Sequence, residues 1–250
     1  MRIHLLRLST LLLAISLPLV GCGKAIGGAH LPDDPQSESV GAEPPPNSGG
    51  TVQTVPDAPS APTPLNVRVQ TLAKYQYLDP NHIVPQKLLE TAVLYFDSHL
   101  SSIANQNYLS VIDYSLRSTK ARFFIIDMKS GSVWAIHTAH GKGSDPDGNG
   151  YATLFSNVSG SEQSSLGMMM AAETYNGKHG LSLRLDGLSS TNSNVRARAI
   201  VIHQADYVQE SEVVQGRSWG CPAVANSDRD ELIKRLKGGS LIYAGLSAQN

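Results

Sequence analysis

The chain has 250 residues, 41% of them hydrophobic and 16% charged, with a formal net charge of −1. That length accommodates one or two domains, and the apolar content supports a sizeable core. Near-neutral charge without a long basic block excludes phosphate neutralisation as the main business, so no nucleic-acid partner is expected.

Met1 to Cys22 has the form of an export leader. Arg2 and Arg7 supply the positive end, and Leu11-Leu12-Leu13-Ala14-Ile15 lies in a short apolar stretch. Leu5 to Val20 is too short and too interrupted by Arg7, Ser9, Ser16 and Pro18 for a spanning helix. Leu19-Val20-Gly21-Cys22 resembles a bacterial lipobox, which implies lipidation of Cys22 and attachment to a membrane surface through acyl chains. Gly23 rather than Asp follows the cysteine, which by the same resemblance implies a periplasm-facing protein sorted to the outer membrane. Residues 23–64 hold nine of the 14 prolines and few large apolar residues, so a disordered linker is expected, reaching roughly 35 Å as a flexible coil.

Residues 65–107 read as a helical lead-in. Pro85 fits the start of a helix, and Leu88, Ala92, Phe96, Leu100 and Ile103 recur at helical spacing. His82 and His99 are read as surface or capping residues. From Tyr108 to Asn250 the pattern changes to strands, expected at Tyr108–Ser115, Arg122–Met128, Ser132–Ala139, Gly167–Ala172, Leu181–Leu185, Arg198–His203 and Ser240–Ala244. Phe123-Phe124-Ile125-Ile126 is a continuous apolar run, as in a strand covered on both faces. Met168, Met169 and Met170 are assigned to core packing. Ser227 and Asp230 signal the start of a late helix whose apolar face is Leu232, Ile233 and Leu236, with Gly238 as its stop. Asp145-Pro146-Asp147-Gly148-Asn149-Gly150 matches only the first half of a calcium loop, since Ser156 stands where the closing Glu belongs. It is read as a solvent-exposed loop. His137 and His140 lack helical metal-motif spacing, so no metal is assigned.

One stretch carries chemistry: Arg217-Ser218-Trp219-Gly220-Cys221-Pro222-Ala223. Cys221 is one of two cysteines, and the other is claimed by the leader, so an internal disulfide is not expected. His203 ends the apolar run Ala199-Ile200-Val201-Ile202, eighteen positions before Cys221. A strand, a loop and a return would bring imidazole and thiol together, as nucleophilic thiol catalysis needs. Pro222 has no N–H, so donors for an oxyanion must come from Trp219, Gly220 and Cys221. Gly220 permits a backbone twist barred to other residues.

At these residues the chain resembles the L,D-transpeptidases of the YkuD type, whose signature is an upstream His followed by Ser/Thr-His-Gly-Cys. Ser218, Gly220, Cys221 and His203 match, whereas Trp219 replaces the usual second His and Pro222-Ala223 replaces Ile/Leu-Arg/Asn. Ser-Trp-Gly-Cys-Pro is similar to a divergent branch labelled murein L,D-transpeptidase catalytic domain. Ser164-Ser165-Leu166-Gly167 resembles the family's Thr-Pro-x-Gly stretch. The resemblance implies a mainly β fold: a mixed β-sandwich with an N-terminal helix and a C-terminal helix packed behind the cysteine loop, without a cofactor.

It also implies a function. Cys221 would attack a peptidoglycan stem tetrapeptide, with His203 as base, Gly220 in the oxyanion cradle and Ser218 orienting His203 or the substrate. Trp219, Arg217, Arg184 and His179 are the candidate substrate contacts. Water in place of an acceptor amine would make the protein an L,D-carboxypeptidase, and loss of reactivity at Cys221 a cell-wall-binding lipoprotein.

Overall fold

The computed structural model describes residues 64–248. The expected leader, Cys22 and all but the last residue of the expected linker lie outside the described residues. Two helices open the described chain, α1 (Leu65–Lys74) and α2 (Gln86–Ser98). Pro85 sits at the N-cap of α2, just outside its first turn. Leu88, Ala92, Tyr95 and Phe96 repeat at helical spacing and are buried, forming the stripe that faces the sheet. The helix stops at Ser98, short of the expected apolar repeat. There the Ser98 hydroxyl donates to the Leu94 carbonyl, His99 caps the Tyr95 carbonyl through Nδ1, and its ring stacks on Tyr95 at 3.9 Å. Leu100–Ser102 then make a single 3-10 turn.

The remaining elements are β1 (Tyr108–Asp113), β2 (Phe123–Asp127), β3 (Val133–Ile136), β4 (Gly167–Gly177), β5 (Gly180–Gly187), β6 (Val201–Ile202), α3 (Arg229–Leu236) and β7 (Leu241–Gly245). The fold is mainly β, and the strands form one seven-stranded mixed sheet in the order β3-β2-β1-β7-β4-β5-β6. β1 and β7 run parallel, and every other pair is antiparallel.

Alternation along the strands sends side chains to two cores. Phe123 and Ile125 join one with Met169, Leu183, Leu185, Ile202 and the α3 residues Leu232, Ile233 and Leu236. Phe124 and Ile126 join the other with Met168, Leu241 and the stripe of α2. The run is thus buried on both faces, as its composition demands. Truncating either phenylalanine would cost about 3–5 kcal/mol, since both are essentially sealed.

Two strand boundaries differ from expectation in ways that matter. β4 continues to Gly177 past an irregularity between Ala171 and Thr174, because ladder bonds to β5 persist where the side chains have become polar. β6 shrinks to Val201–Ile202 because Ala199 takes a left-handed conformation (φ 53°), which ends extended pairing before it. β6 is an edge strand, so the residue after it, His203, emerges at the sheet margin where the cysteine loop lies.

Candidate active site

The cysteine loop is moored on both sides. The Ser218 amide donates to the His140 carbonyl and the Ser218 carbonyl accepts from Lys142, at 2.9 and 2.7 Å. Beyond the cysteine, the Val224 amide donates to the His203 carbonyl and the Ala205 amide to the Val224 carbonyl, both at 2.9 Å. These bonds tie the loop to the residue that follows β6. Val224 also enters the core that holds α3, and Cys221 packs against it, so α3 backs the loop as expected.

Within the loop, Gly220 has φ 121°, in the region that favours glycine. A Cβ there would meet the Gln163 carbonyl oxygen at 2.7 Å and Ile200 Cδ1 at 2.8 Å, so glycine is required by both conformation and space. The Ser218 hydroxyl donates to the Cys221 carbonyl (2.7 Å) and accepts from the Gly220 amide (3.1 Å). It therefore orients the cysteine turn, and the expected bond to His203 is not the one it makes. From the far side, the Ser164 hydroxyl donates to the Gly220 carbonyl (3.1 Å) and accepts from the Gly141 amide (3.0 Å).

The sulfur of Cys221 accepts from the Val201 amide at 3.5 Å and lies 3.8 Å from the Ala199 carbonyl. It is half-buried. His203 is almost fully buried, and its Nδ1 lies 2.8 Å from the Gln204 carbonyl. A carbonyl only accepts, so Nδ1 carries the proton and Nε2 keeps its lone pair. Burial first, then the neighbouring His179, push the His203 pKa down to about 4, against the Gln204 bond that raises it. His203 is a neutral imidazole at physiological pH. His179, on the turn between β4 and β5, faces it with ring centroids 4.3 Å apart.

Beneath the loop lies a buried polar pillar. Arg122 donates through Nε and Nη2 to the Thr138 carbonyl, through Nη1 to the Leu116 carbonyl, and through Nη2 to His140 Nδ1 at 2.7 Å. With its donors answered, a fully buried guanidinium is tolerated. His140 passes its own Nε2–H to Asp145 (3.3 Å), and burial first, then Arg122, bring its pKa down to about 4. The Asp145 carboxylate also accepts from the Asn149 and Gly150 amides. Asp145 is therefore buried, a correction to the reading of residues 145–150 as wholly exposed; Pro146, Asp147 and Asn149 are the exposed part. Among the described residues no group of three or more His, Cys, Asp or Glu side chains is placed to hold a metal.

Cys221, Ser218, Gly220 and Trp219 thus share one loop, which Val224 ties to the backbone of His203, and the His179 ring lies against that of His203. Trp219 lies under the Lys142 ammonium, 5.3 Å from its ring centroid, with a buried indole N–H that has no protein acceptor. Arg217 donates through Nη1 to the Asp145 carbonyl. Arg184 pairs with Glu173 at 3.2 Å and stacks on Tyr175. Neither arginine contacts the cysteine loop's reacting groups in these bonds. Sequence reasoning missed Ser164, Lys142 and the Gln204 carbonyl as parts of the site. Ser164 had a signal in the Ser-Ser-Leu-Gly resemblance, whereas a backbone carbonyl leaves none. A cleft of about 700 Å3 between the helices, lined by Leu72, Tyr75, Ile83 and Val93 among others, contains none of these residues.

Comparison with known proteins bears on this arrangement. Residues 80–244 match the model of a family described as the L,D-transpeptidase catalytic domain. Among solved structures, the L,D-transpeptidase LdtMt1 in complex with imipenem is 12% identical, with TM-score 0.34 over 56% of this chain and 59% of that one. An L,D-transpeptidase from Mycobacterium smegmatis is 11% identical, with TM-score 0.35 over 56% and 58%. Bd1075 from Bdellovibrio bacteriovorus is 13% identical, with TM-score 0.33 over 57% and 51%. The chain spans less than two thirds of the length of each. No curated protein matches it.

Proposed function

Because the chain belongs to the L,D-transpeptidase catalytic-domain family, we propose that it cross-links peptidoglycan through a thioester on Cys221. The observation that supports this reading most directly is a loop-borne thiol tied by a backbone bond to the segment of a buried, neutral His203 whose free lone pair is on Nε2. The donor is a stem tetrapeptide. His203 Nε2 takes the thiol proton as Cys221 Sγ attacks the carbonyl carbon of the third stem residue. The oxyanion then needs N–H donors. The Gly220 amide is held by Ser218 Oγ, so in this reading the donors are the amides of Trp219 and Cys221. Collapse breaks the amide bond, and His203 returns its proton to the departing D-alanine amine, leaving a thioester. An acceptor amine attacks that thioester, gives its surplus proton to His203 and expels the thiolate.

A resting neutral imidazole favours proton removal during attack over a preformed imidazolium–thiolate pair. Trp219 and His179 line the substrate side of this arrangement. Lys142, held over the indole and 3.1 Å from Glu162, is a further candidate cation for substrate carboxylates. The same reading keeps the enzyme in the cell envelope, tethered through a lipidated Cys22; labelling with an acyl-chain analogue that persists in Cys22→Ala would remove that part.

Purified muropeptide tetrapeptides decide the chemistry. Cross-linked dimers that disappear in Cys221→Ala and His203→Ala are expected, together with a carbapenem adduct on Cys221. Shortened monomers without dimers would assign the carboxypeptidase instead. Neither product nor adduct would leave a cell-wall-binding protein.

A further inference from the structure

We propose that Arg198 is the charge partner of Cys221, its guanidinium stabilising the thiolate while His203 stays neutral. The inference rests on the thiol being the nucleophile, as above, but concerns a residue and a role outside that reading.

Residues 192–200, between β5 and β6, fold as successive turns. The Val195 amide bonds to the Asn192 carbonyl, Arg198 to Asn194 and Ala199 to Arg196. Ala199 follows in a left-handed conformation, a strain of about 1–3 kcal/mol of the kind that clusters at working sites. Its carbonyl and the Val201 amide are the two backbone groups at the Cys221 sulfur. The guanidinium of the residue before it, Arg198, is held by residues 156–165. Nη1 donates to the Ser156 carbonyl (2.7 Å) and the Ser165 hydroxyl (2.6 Å). Nη2 donates to the Ser161 hydroxyl (3.1 Å) and the Gln163 carbonyl (2.6 Å). That Gln163 oxygen is the atom a Cβ on Gly220 would meet at 2.7 Å. The cation therefore lies one carbonyl away from the turn that presents the thiol.

Every one of these partners is neutral. Arg184 and Arg196 pair with the carboxylates of Glu173 and Asp186, but among the described residues no carboxylate pairs with Arg198. A half-buried guanidinium without a counter-ion is costly, and burial lowers its pKa accordingly; negative charge on Cys221 would act the other way. Three other titratable groups around the loop are engaged differently. Tyr114, below it, is a fully buried phenol pushed up to about 12, chiefly by desolvation, and stays neutral. His203 is neutral, with His179 behind it. Lys142 is paired with Glu162 over Trp219.

The test is the pH dependence of Cys221 alkylation by iodoacetamide, which needs no peptidoglycan and so succeeds or fails apart from the transpeptidase reading. An adjacent cation lowers an acid's pKa by about 1–3 units. In Arg198→Gln the midpoint should therefore rise by at least about one unit, slowing alkylation near neutrality about tenfold. Arg198→Lys keeps the charge but loses the four-bond clamp, and its midpoint should stay near that of the parent protein. His203→Asn should leave the midpoint in place too. Should Arg198→Gln misfold by circular dichroism, the double substitution Ser161→Ala, Ser165→Ala weakens the clamp and leaves the cation, with no expected change in midpoint. An unmoved midpoint in Arg198→Gln, equal displacement in the Lys and Gln variants, or a shift in the serine double variant would each overturn the proposal. A large rise in His203→Asn would do the same, by returning the counter-ion role to the histidine.

Discussion

His203 offers a prediction in which the sign matters as much as the size. In an unfolded chain its imidazole titrates near 6.5, whereas in the fold burial and His179 hold it at about 4. Between these values the unfolded chain binds a proton that the folded one refuses, so this residue's contribution falls as the solution is acidified. Above pH 6.5 both states are neutral and nothing is lost. Linkage over the gap gives a loss of about 2 kcal/mol by pH 5 and about 3 kcal/mol by pH 4. The perturbation is His203→Asn, whose side-chain N–H can still serve the Gln204 carbonyl but does not titrate. The assay is urea unfolding of both proteins from pH 7.5 to 5. His140, also held at about 4, is present in both and cancels in the difference. The parent's advantage over the variant should shrink by about 2 kcal/mol across that range. A flat difference would mean that His203 is not depressed. An advantage that grows on acidification would mean a raised pKa, hence an imidazolium paired with thiolate, and the general-base account would have to be abandoned.

Two further outcomes follow from the same structure. Gly220→Ala should cost about 1–3 kcal/mol, since φ 121° is open almost only to glycine and the new methyl would press on the Gln163 carbonyl. It should also cut Cys221 turnover more than tenfold, and a fully active, equally stable variant would show that the turn relaxes freely. Asp228, beside Glu210 at the start of α3, has its pKa raised to about 6 by burial first and then by that carboxylate. Asp228→Asn should therefore stabilise the protein at pH 8 by about 1 kcal/mol after solvent screening is allowed for. The gain should fall to about half at pH 5 and vanish only below about pH 4, where the unfolded chain is protonated as well; a loss of stability at pH 8 would contradict the placement of the two acids.

The chemistry of this protein was legible in its sequence wherever a residue type is restrictive by itself. A thiol beside Gly220 and before Pro222, and a histidine closing an apolar run, mark the candidate pair because few other residue types serve there. Phe123–Ile126 announced a strand covered on both sides because apolar alternation is absent, and the two cores confirm it. The ends of β4 and β6 were not legible. Ladder bonds carry β4 on through polar Thr174 and Asn176, and the left-handed Ala199 stops β6 inside a run that looks uniformly extended.

What only the tertiary structure decided is who answers whom. Ser218 orients the cysteine turn, Gln204 fixes the His203 tautomer through a carbonyl that every residue possesses, Ser164 reaches the loop across dozens of residues of chain, and Arg198 holds the Gln163 carbonyl beside it. Arg184, Arg196, Arg198 and Arg217 are identical in sequence and differ only in their partners. A side chain's chemistry belongs to its type, but its charge state and its role depend on the solvent it has lost and the dipoles that replace it, and folding alone assigns those.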